Sequence, residues 1–324
     1  MDRWRALLAC PGCGGSLEAD WSCRACGAHF EAPDGIPNLR LASDERTEAV
    51  RRFYERTPFP GYPAGDTLHA LRRRTEHNAF LRLLDRAIPA DARVVEIGCG
   101  TGQLSLYLAR AGRLIVGADL TRASLRLGAA AAARFRLADV GFVETDLHRP
   151  GLRAGTFDVV YASGVLHHTP DPRAAFGSVA HLARPGGIIV VGLYNRFARL
   201  PTRLRRVISR VSPSGVMRFD AVLRERRTHP GRYAAWLRDQ YHHPEEHRHT
   251  VAEVQRWFAG NGIEYLRTYP SVLLDDEPED LFAPAADDWC VEGWLAQLGW
   301  IWTLGREGGL FMTIGRKQSS NRES

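Results

Sequence analysis

The chain has 324 residues, of which 44% are hydrophobic, and its formal net charge is +6. A chain of this length can bury a sizeable core in about two domains, and apolar runs of only about five to seven residues exclude a segment that spans a bilayer. The opening residues, MDRWRALLACPGCGG, contain no apolar stretch typical of a secretory signal, so we expect a cytoplasmic protein.

Four cysteines near the N-terminus form two C-x-x-C pairs. They are Cys10, Cys13, Cys23 and Cys26. Two such pairs can present four thiolates to one Zn²⁺ ion, whereas disulfides are disfavoured in a cytoplasmic chain. Residues 10–39, which end in AHFEAPDGIPNL, resemble Trm112-like zinc ribbons. The resemblance implies a structural zinc ion in a ribbon over residues 1–40, which either contacts RNA or braces the rest of the protein; we favour bracing.

Residues 41–80 are predicted to connect this ribbon to the next domain. A polar stretch turns into a helix by residue 56, and RTPFPGYP follows, whose prolines hold Phe59 and Tyr62 on an extended loop. This loop either covers a neighbouring site or serves as an ordinary linker. Residues 67–88 are predicted to form one helix that leads into the first strand.

Residues 94–121 contain a strand, a glycine-rich turn, a helix and a second strand that ends in an acid. The glycines of the turn are Gly98, Gly100 and Gly102, and the acid is Asp119. This layout places a nucleotide-like ligand over the carboxyl end of a parallel sheet. Glycines let the main chain approach the ligand closely, and the carboxylate can accept both ribose hydroxyls.

The spacing of the glycines separates two classes of ligand. A dinucleotide site requires G-x-G-x-x-G, but Gln103 occupies the position of the last glycine. With Glu96 before the turn, the segment resembles motif I of class I S-adenosylmethionine-dependent methyltransferases of the type 11/12 kind. The resemblance continues through residues 142–147, 157–172 and 181–199.

This resemblance implies an α/β fold, with a Rossmann-like, mostly parallel seven-stranded sheet whose last strand is antiparallel. The methyltransferase domain is expected over residues 81–324, with helical insertions at 197–248 and 271–307, after the small N-terminal ribbon. The stretch FYERTPFPGY resembles a segment that precedes the catalytic domain in one methyltransferase group, which implies that residues 53–62 fold over the cofactor mouth.

The same resemblance implies a set of residues for S-adenosylmethionine. They are Glu96, Gly98, Gly100, Gly102, Asp119, Leu120, Asp146, Leu147 and Ser163. Asp146, at the end of the third strand, faces the adenine amino group in such enzymes; the alternative for this residue is a helix N-cap. Ser163 follows the fourth strand, where methyl group and acceptor are expected to meet, and a simple turn is its alternative.

Two histidines after the fourth strand, His167 and His168, are the candidate catalytic residues because a hydroxyl acceptor needs a base. The first of them is alternatively structural. We expect a small-molecule or lipid-like acceptor, with a hydroxyl as one option, bound near this turn, the end of the fifth strand and the two insertions. The alternatives are an RNA or protein acceptor held by the ribbon and the arginine-rich insertion, or a non-enzymatic adaptor.

The C-terminal half has an uneven charge distribution. Eleven arginines lie between residues 196 and 232, and eight acids lie between 275 and 292. The basic segment either meets phosphates or an anionic membrane, or packs on the acidic stretch or faces solvent; we favour the second pair. HHPEEHRH (242–249) is interpreted as a solvated helix start in preference to a helical metal pair. The tryptophans of residues 289–302 are predicted to be core, with an acceptor-pocket wall as the alternative.

Overall fold

The computed structural model describes residues 2–56, 58–59, 65–109, 112–211, 246–272, 279–285, 292–304 and 308–319, together with Asp220, Leu223, Leu237 and Tyr241. The expectations for Tyr62, for Trp289 and for most of the 197–248 insertion lie outside these residues. No helix within the described ranges combines the length and the hydropathy that crossing a membrane requires.

One seven-stranded sheet organises the described part of the chain. Its strands are β1 (Arg93–Ile97), β2 (Leu114–Asp119), β3 (Val140–Glu144), β4 (Phe157–Ser163), β5 (Ala183–Tyr194), β6 (Ile263–Tyr269) and β7 (Leu310–Lys317). They lie in the order β3-β2-β1-β4-β5-β7-β6. All neighbouring strands run parallel except β7, which is antiparallel to both β5 and β6. The predicted mostly parallel sheet with a reversed last strand is therefore confirmed.

Helices flank the sheet. Their bounds are α1 (Glu45–Glu55), α2 (Leu68–Glu76), α3 (Ala79–Ala87), α4 (Gln103–Leu108), α5 (Arg122–Arg134), α6 (Pro172–Ala180), α7 (Leu200–Val211), α8 (Val251–Gly260) and α9 (Glu292–Thr303). The prediction of one helix over residues 67–88 was wrong. The side chain of Asn78 accepts the Leu81 N–H at 3.1 Å and caps α3, so two helices replace the continuous one.

The core lies on both faces of the sheet because most residues of its central strands are apolar and buried. In β1, Val94 packs with one buried cluster and Val95 with the other, as expected for side chains that alternate across a strand. On one face, α6 and α8 pack together through Phe176 and Phe258, whose ring centroids lie 5.4 Å apart. The apolar stripe predicted for α8 is buried as expected.

The N-terminal segment adds to the sheet beyond β3. The Leu39 N–H donates to the Glu144 carbonyl at 2.8 Å, and the Glu144 N–H donates to the Pro37 carbonyl at 3.0 Å. Trp4 lies flat over β3, where a Cβ on Gly141 would come within 1.9 Å of its indole. The cysteine-bearing segment and the sheet therefore share one hydrophobic core.

A buried carboxylate strengthens this junction. Glu144 accepts from Arg122 Nε at 2.7 Å and from Arg40 at 3.4 Å. The Arg122 guanidinium also donates to the Pro33 carbonyl at 2.8 Å and to the Ile36 carbonyl at 3.0 Å. One arginine of α5 thus joins the N-terminal segment to the edge of the sheet.

Of the stretch 242–249, residues 242–245 lie outside the described part of the chain, and residues 246–249 are not helical. For the described residues, the interpretation as a solvated helix start was therefore wrong. The Glu246 carboxylate forms an ion pair with the buried Arg199, with an N–O distance of 2.8 Å. His249 pairs with Asn195 in an isolated bridge. The next helix, α8, begins only after Thr250, which caps it through the Glu253 N–H at 3.3 Å.

Candidate active site

The glycine-rich turn after β1 has the backbone that its glycines predict. Gly98, Gly100 and Gly102 have φ angles of 68°, 53° and 71°, in the left-handed region. A Cβ on Gly98 would lie 2.6 Å from the Cβ of Val165, so this position admits no side chain. Gly102 serves packing instead, because a Cβ there would lie 2.5 Å from the Phe142 ring.

The carboxylate of Asp119 holds this turn from the tip of β2. One oxygen accepts the Gly100 N–H at 2.8 Å, and the other accepts the N–H and hydroxyl of Thr121 at 2.8 and 2.7 Å. Burial raises the pKa of Asp119 above its ordinary value, although these hydrogen bonds oppose the shift. Asp119 therefore joins the two strand ends at which a ligand is expected.

Glu96 lies beneath the turn and does not line the cavity above it. Its Oε2 accepts the backbone N–H of Ser105 at 2.8 Å and the hydroxyl of the same residue at 2.5 Å. Burial raises the pKa of Glu96 to about 7. In this structure the carboxylate fixes the start of α4 against β1.

A cavity of about 310 Å³ opens over the carboxyl ends of β1, β2 and β4, a volume suited to a small molecule. Predicted site residues that line it are Gly98, Gly100, Asp119, Leu120, Asp146, Leu147, Ser163 and His168. Glu96, Gly102 and His167 are not among its lining residues. The structure thus brings most of the predicted site residues to one cavity, whereas these three do not line it.

Helix α1 and the following loop cover this cavity. Thr47, Val50 and Tyr54 of α1 and the ring of Phe59 line it, and the Phe59 carbonyl accepts the Thr101 N–H at 3.2 Å. The lining by Thr47 and Val50 was not expected from the sequence, where α1 was described only as a connector. Tyr54 and Phe59 lie within the stretch expected at the mouth.

Asp146 forms the outer wall beside this cover. One of its oxygens accepts the His148 N–H at 2.9 Å, and the other accepts the Ser43 hydroxyl at 2.9 Å. These bonds form a local turn at the end of β3, so the residue is not a helix N-cap. The carboxylate lines the cavity next to Leu147.

The two histidines after β4 have different surroundings. His168 lines the cavity, whereas His167 is fully buried against Tyr194, with ring centroids 3.9 Å apart. The rings of the two histidines lie 4.3 Å apart, and the His167 carbonyl accepts the His247 N–H at 2.8 Å. Only His168 is therefore placed to meet a molecule in the cavity.

Comparison with known proteins agrees with this geometry. A family described as "Methyltransferase domain" matches residues 95–191, which run from β1 to β5 and include the glycine-rich turn, Asp119 and both histidines. Residues 95–191 therefore carry a methyltransferase domain.

Two relatives extend the similarity beyond this domain. The chain is 29% identical over 255 residues to an uncharacterized protein of Synechococcus sp., a match that covers 69% of the chain and 60% of that protein. It is 32% identical over 164 residues to a ubiquinone biosynthesis O-methyltransferase of Xanthomonas axonopodis pv. citri, covering 48% of the chain and 64% of the relative. The chain thus spans less than two thirds of either relative.

Solved structures share the fold of the methyltransferase domain. Magnesium protoporphyrin IX methyltransferase of Synechocystis PCC 6803 aligns with a TM-score of 0.50 at 16% identity, over 85% of this chain and all of that one. The [4+2]-cyclase SpnF aligns with a TM-score of 0.50 at 16% identity, over 85% of this chain and 97% of that one. Because a cyclase shares the architecture, the fold alone does not specify methyl transfer.

Behind the cavity of the methyltransferase domain lies a buried ion pair that the sequence did not suggest. Arg199 is fully buried, stacks over Tyr194 at 3.8 Å and donates to Glu246 at 2.8 and 3.2 Å. Burial acts to raise the pKa of Glu246, but the hydrogen bonds and charge of Arg199 hold it below its ordinary value, and His168 adds to this effect. The only signal in the sequence was an arginine shortly after the fifth strand.

The four N-terminal cysteines converge as predicted. Their Sγ atoms all lie within 4.8 Å of one another. The two knuckles have the same backbone: Gly14 and Gly27 both have a φ of 73°, and their N–H groups donate to the Cys10 and Cys23 carbonyls at 2.8 and 2.9 Å. A hydrogen bond from the Cys26 N–H lowers the pKa of Cys23, whereas the pKa of Cys13 is raised beside the other sulfurs. This arrangement suits a tetrahedral metal ion.

Proposed function

We propose that this protein binds S-adenosylmethionine in the cavity above β1, β2 and β4 and transfers its methyl group to a small-molecule or lipid-like acceptor. The observation that carries the proposal is that a single cavity joins the glycine-rich turn and Asp119 to Ser163 and His168. Cofactor and acceptor would therefore share one enclosed space, as group transfer between two molecules requires.

The lining residues fit this cofactor. Gly98 and Gly100 leave the main chain open to the methionine end, and Asp119 offers carboxylate oxygens to the ribose hydroxyls. Asp146 would accept from the adenine amino group, with Leu120 and Leu147 as apolar contacts. Bound there, S-adenosylmethionine supplies an electrophilic methyl group. Glu96 and Gly102 act indirectly, because one fixes α4 and the other admits Phe142.

His168 is our candidate for the general base. From the wall of the cavity its imidazole can take the proton that a hydroxyl acceptor loses as the methyl group arrives. His167 is better suited to position its neighbour, because it is buried between Tyr194 and the 246–249 segment. The relative named for O-methylation in ubiquinone biosynthesis supports a hydroxyl on a lipid-like molecule as the acceptor class.

We further propose that residues 1–40 form a zinc ribbon whose role is to brace the domain. Residues 41–80 form the connector and the cofactor-mouth segment, and residues 81–324 form the methyltransferase domain with insertions at 197–248 and 271–307. The backbone pairing of Leu39 with Glu144 supports bracing over a ribbon that projects freely toward RNA.

Calorimetry and labelling together test this function. Asp119→Ala should weaken binding of S-adenosylmethionine by about 1–3 kcal/mol because polar groups lose a buried partner. Asp91→Ala, at an exposed acid before β1, is the matched control and should leave the affinity unchanged. Equal affinities for wild-type protein and Asp119→Ala would refute the assignment of the site.

The acceptor class is read from the fate of a labelled methyl group. Incubation with labelled S-adenosylmethionine and extract fractions should place the label in the small-molecule or lipid fraction. His168→Ala should lower that rate with little change in cofactor affinity. Label in RNA or protein would support a macromolecular acceptor instead, and an absence of label with every fraction would count against methyl transfer.

A further inference from the structure

Exposed apolar side chains are concentrated on two helices outside the family match. Among the described residues, seven of the eight large hydrophobic side chains that are exposed belong to α7 and α9. They are Leu200, Leu204, Val207, Trp294, Leu295, Leu298 and Trp302. These side chains belong neither to the buried core nor to the lining of the cavity. Of the tryptophans in α9, only Trp300 is buried, so the expectation that they are core residues was wrong for Trp294 and Trp302.

On each helix these residues share one face. In α7 they recur at Leu200, Leu204 and Val207, and in α9 at Trp294, Leu298 and Trp302, which are the spacings of a helical stripe. The other face of α9 is anchored: Gln297, Trp300 and Leu304 are all buried. The exposed stripe of α9 is therefore displayed by a helix that is fixed to the protein.

The two stripes meet at their N-terminal ends. Phe197, one turn before α7, contacts Trp294 edge to face, with ring centroids 5.6 Å apart. Beneath this contact, the Asn195 amide donates to Gln297 at 3.1 Å. The exposed faces of α7 and α9 thus join into one surface, which we call the α7–α9 surface. Contiguous apolar surface of this kind marks an interaction site.

Positive charge accompanies this surface. Helix α7, LPTRLRRVISRV, contains four arginines and no acid. Arg203 is exposed on it, while Arg206 pairs with Glu246. Partial burial lowers the pKa of Arg248, and the nearby charge of Arg203 adds to this effect. Helix α9 contributes tryptophan and leucine, and its one acid, Glu292, lies at its first residue. Leucine and tryptophan beside arginine are typical of helices that lie in the interface of an anionic membrane.

We infer that the α7–α9 surface docks this protein on the surface of an anionic lipid bilayer. The tryptophans and leucines enter the headgroup region, and the arginines meet lipid phosphates. A protein partner is less favoured because it would have to supply both an apolar groove and a matching set of acids.

Docking would also place the cavity near the lipid. Helix α7 follows β5 shortly after Tyr194, and α9 precedes β7 at Leu310; both of these residues line the cavity. A lipid-like acceptor could then enter from the bilayer. This consequence rests on the proposed function, whereas the docking itself does not.

Sedimentation with vesicles tests the docking without any acceptor. Wild-type protein should bind vesicles of equal parts phosphatidylglycerol and phosphatidylcholine, and its tryptophan emission should shift to the blue. The double variant Leu204→Ser, Trp302→Ser should bind at least about tenfold more weakly because it loses buried apolar area. Leu127→Ser, at the exposed leucine of α5, is the matched control and should bind as wild type.

The contribution of charge is tested separately. Arg203→Glu should lower binding to the same vesicles about fivefold or more, and Arg86→Glu, at an exposed arginine of α3, should not. Pure phosphatidylcholine should bind only weakly. Wild-type binding that ignores lipid charge, or an absence of binding, would overturn the proposal. A dimer that Trp302→Ser dissociates, without vesicle binding, would assign the surface to a second copy of the chain. Each result leaves the cofactor calorimetry unaffected.

Discussion

The N-terminal ribbon and the α7–α9 surface contain the same kinds of residue and use them in opposite ways. In the ribbon, Trp4 is 7% exposed and lies over a glycine of β3, whereas Trp302 of α9 is 71% exposed. The Arg122 guanidinium donates to a buried carboxylate and to two carbonyls of the N-terminal segment, whereas Arg203 faces solvent.

This contrast teaches that attachment and recognition can be separated within one chain. Where a segment is joined to the sheet by backbone pairing and by an arginine with three partners, those groups are not available to another molecule. Where a helix is anchored by one face alone, the other face remains available. This contrast supports our two proposals, a ribbon that braces the protein and an α7–α9 surface that binds a partner.

Removing zinc should have the largest effect, because it should destabilise the ribbon and leave the α7–α9 surface unchanged. Binding of a structural zinc ion supplies on the order of 10 kcal/mol to small ribbons, because so few residues bury little apolar surface. Replacing Cys10 and Cys13 together by serine should abolish about one equivalent of bound zinc and expose the Leu39 amide to hydrogen exchange. Cys99→Ala is the thiol control and should keep its metal. Retention of zinc by the double serine variant would contradict the site.

Replacing Trp4 and Trp302 by alanine, one at a time, tests the contrast between the ribbon and the α7–α9 surface at single side chains. Trp4→Ala should lower the free energy of unfolding by about 3–5 kcal/mol, because it leaves a cavity over β3. Trp302→Ala should change it by less than about 0.5 kcal/mol. Denaturant titrations of both variants measure the difference. Comparable losses would show that α9 is braced as firmly as the ribbon.

Acid should lower the free energy of unfolding by protonating Glu246. Its pKa is lowered in the folded protein, chiefly because Arg199 overcomes the effect of burial. The stabilisation is therefore present above the ordinary glutamate pKa and is lost as pH falls below it, by about 1.4 kcal/mol for each unit of lowering. Unfolding free energies measured between neutral pH and acid should show this loss in wild type.

The variant Glu246→Gln should lack that part of the pH dependence, although it is less stable at neutral pH because Arg199 loses its counter-charge. Glu76→Gln, at an exposed acid of α2, serves as the control and should follow wild type. A Glu246→Gln profile parallel to that of wild type would show that the ion pair does not fasten this segment.

Local sequence patterns predicted the parts of the molecule that depend on neighbouring residues. The glycine-rich turn, Asp119 at the tip of β2 and the two C-x-x-C knuckles each lie within short segments, and the structure brings each together as expected. The seven-stranded sheet with its antiparallel last strand followed from the family resemblance, since the insertions interrupt the chain without changing the sheet.

Contacts between distant segments were not predictable in this way. Trp4 against Gly141, Arg122 with Glu144 and the carbonyls of residues 33 and 36, and Arg199 with Glu246 are pairings that no periodicity encodes. Even a local signal was missed at Asn78, whose capping bond divides an apparently continuous helical pattern. The roles of His167 and His168 likewise separate only in three dimensions.

The pairing of residues 37–39 with β3 has a consequence for solubility. An outermost strand ordinarily displays a row of unsatisfied N–H and C=O groups, to which other chains can add and start an aggregate. Here the Leu39 and Glu144 amides are already engaged by this pairing. The N-terminal segment therefore also protects this edge from pairing with other chains. A chain that lost its first 44 residues would expose the edge of β3, and we expect it to aggregate.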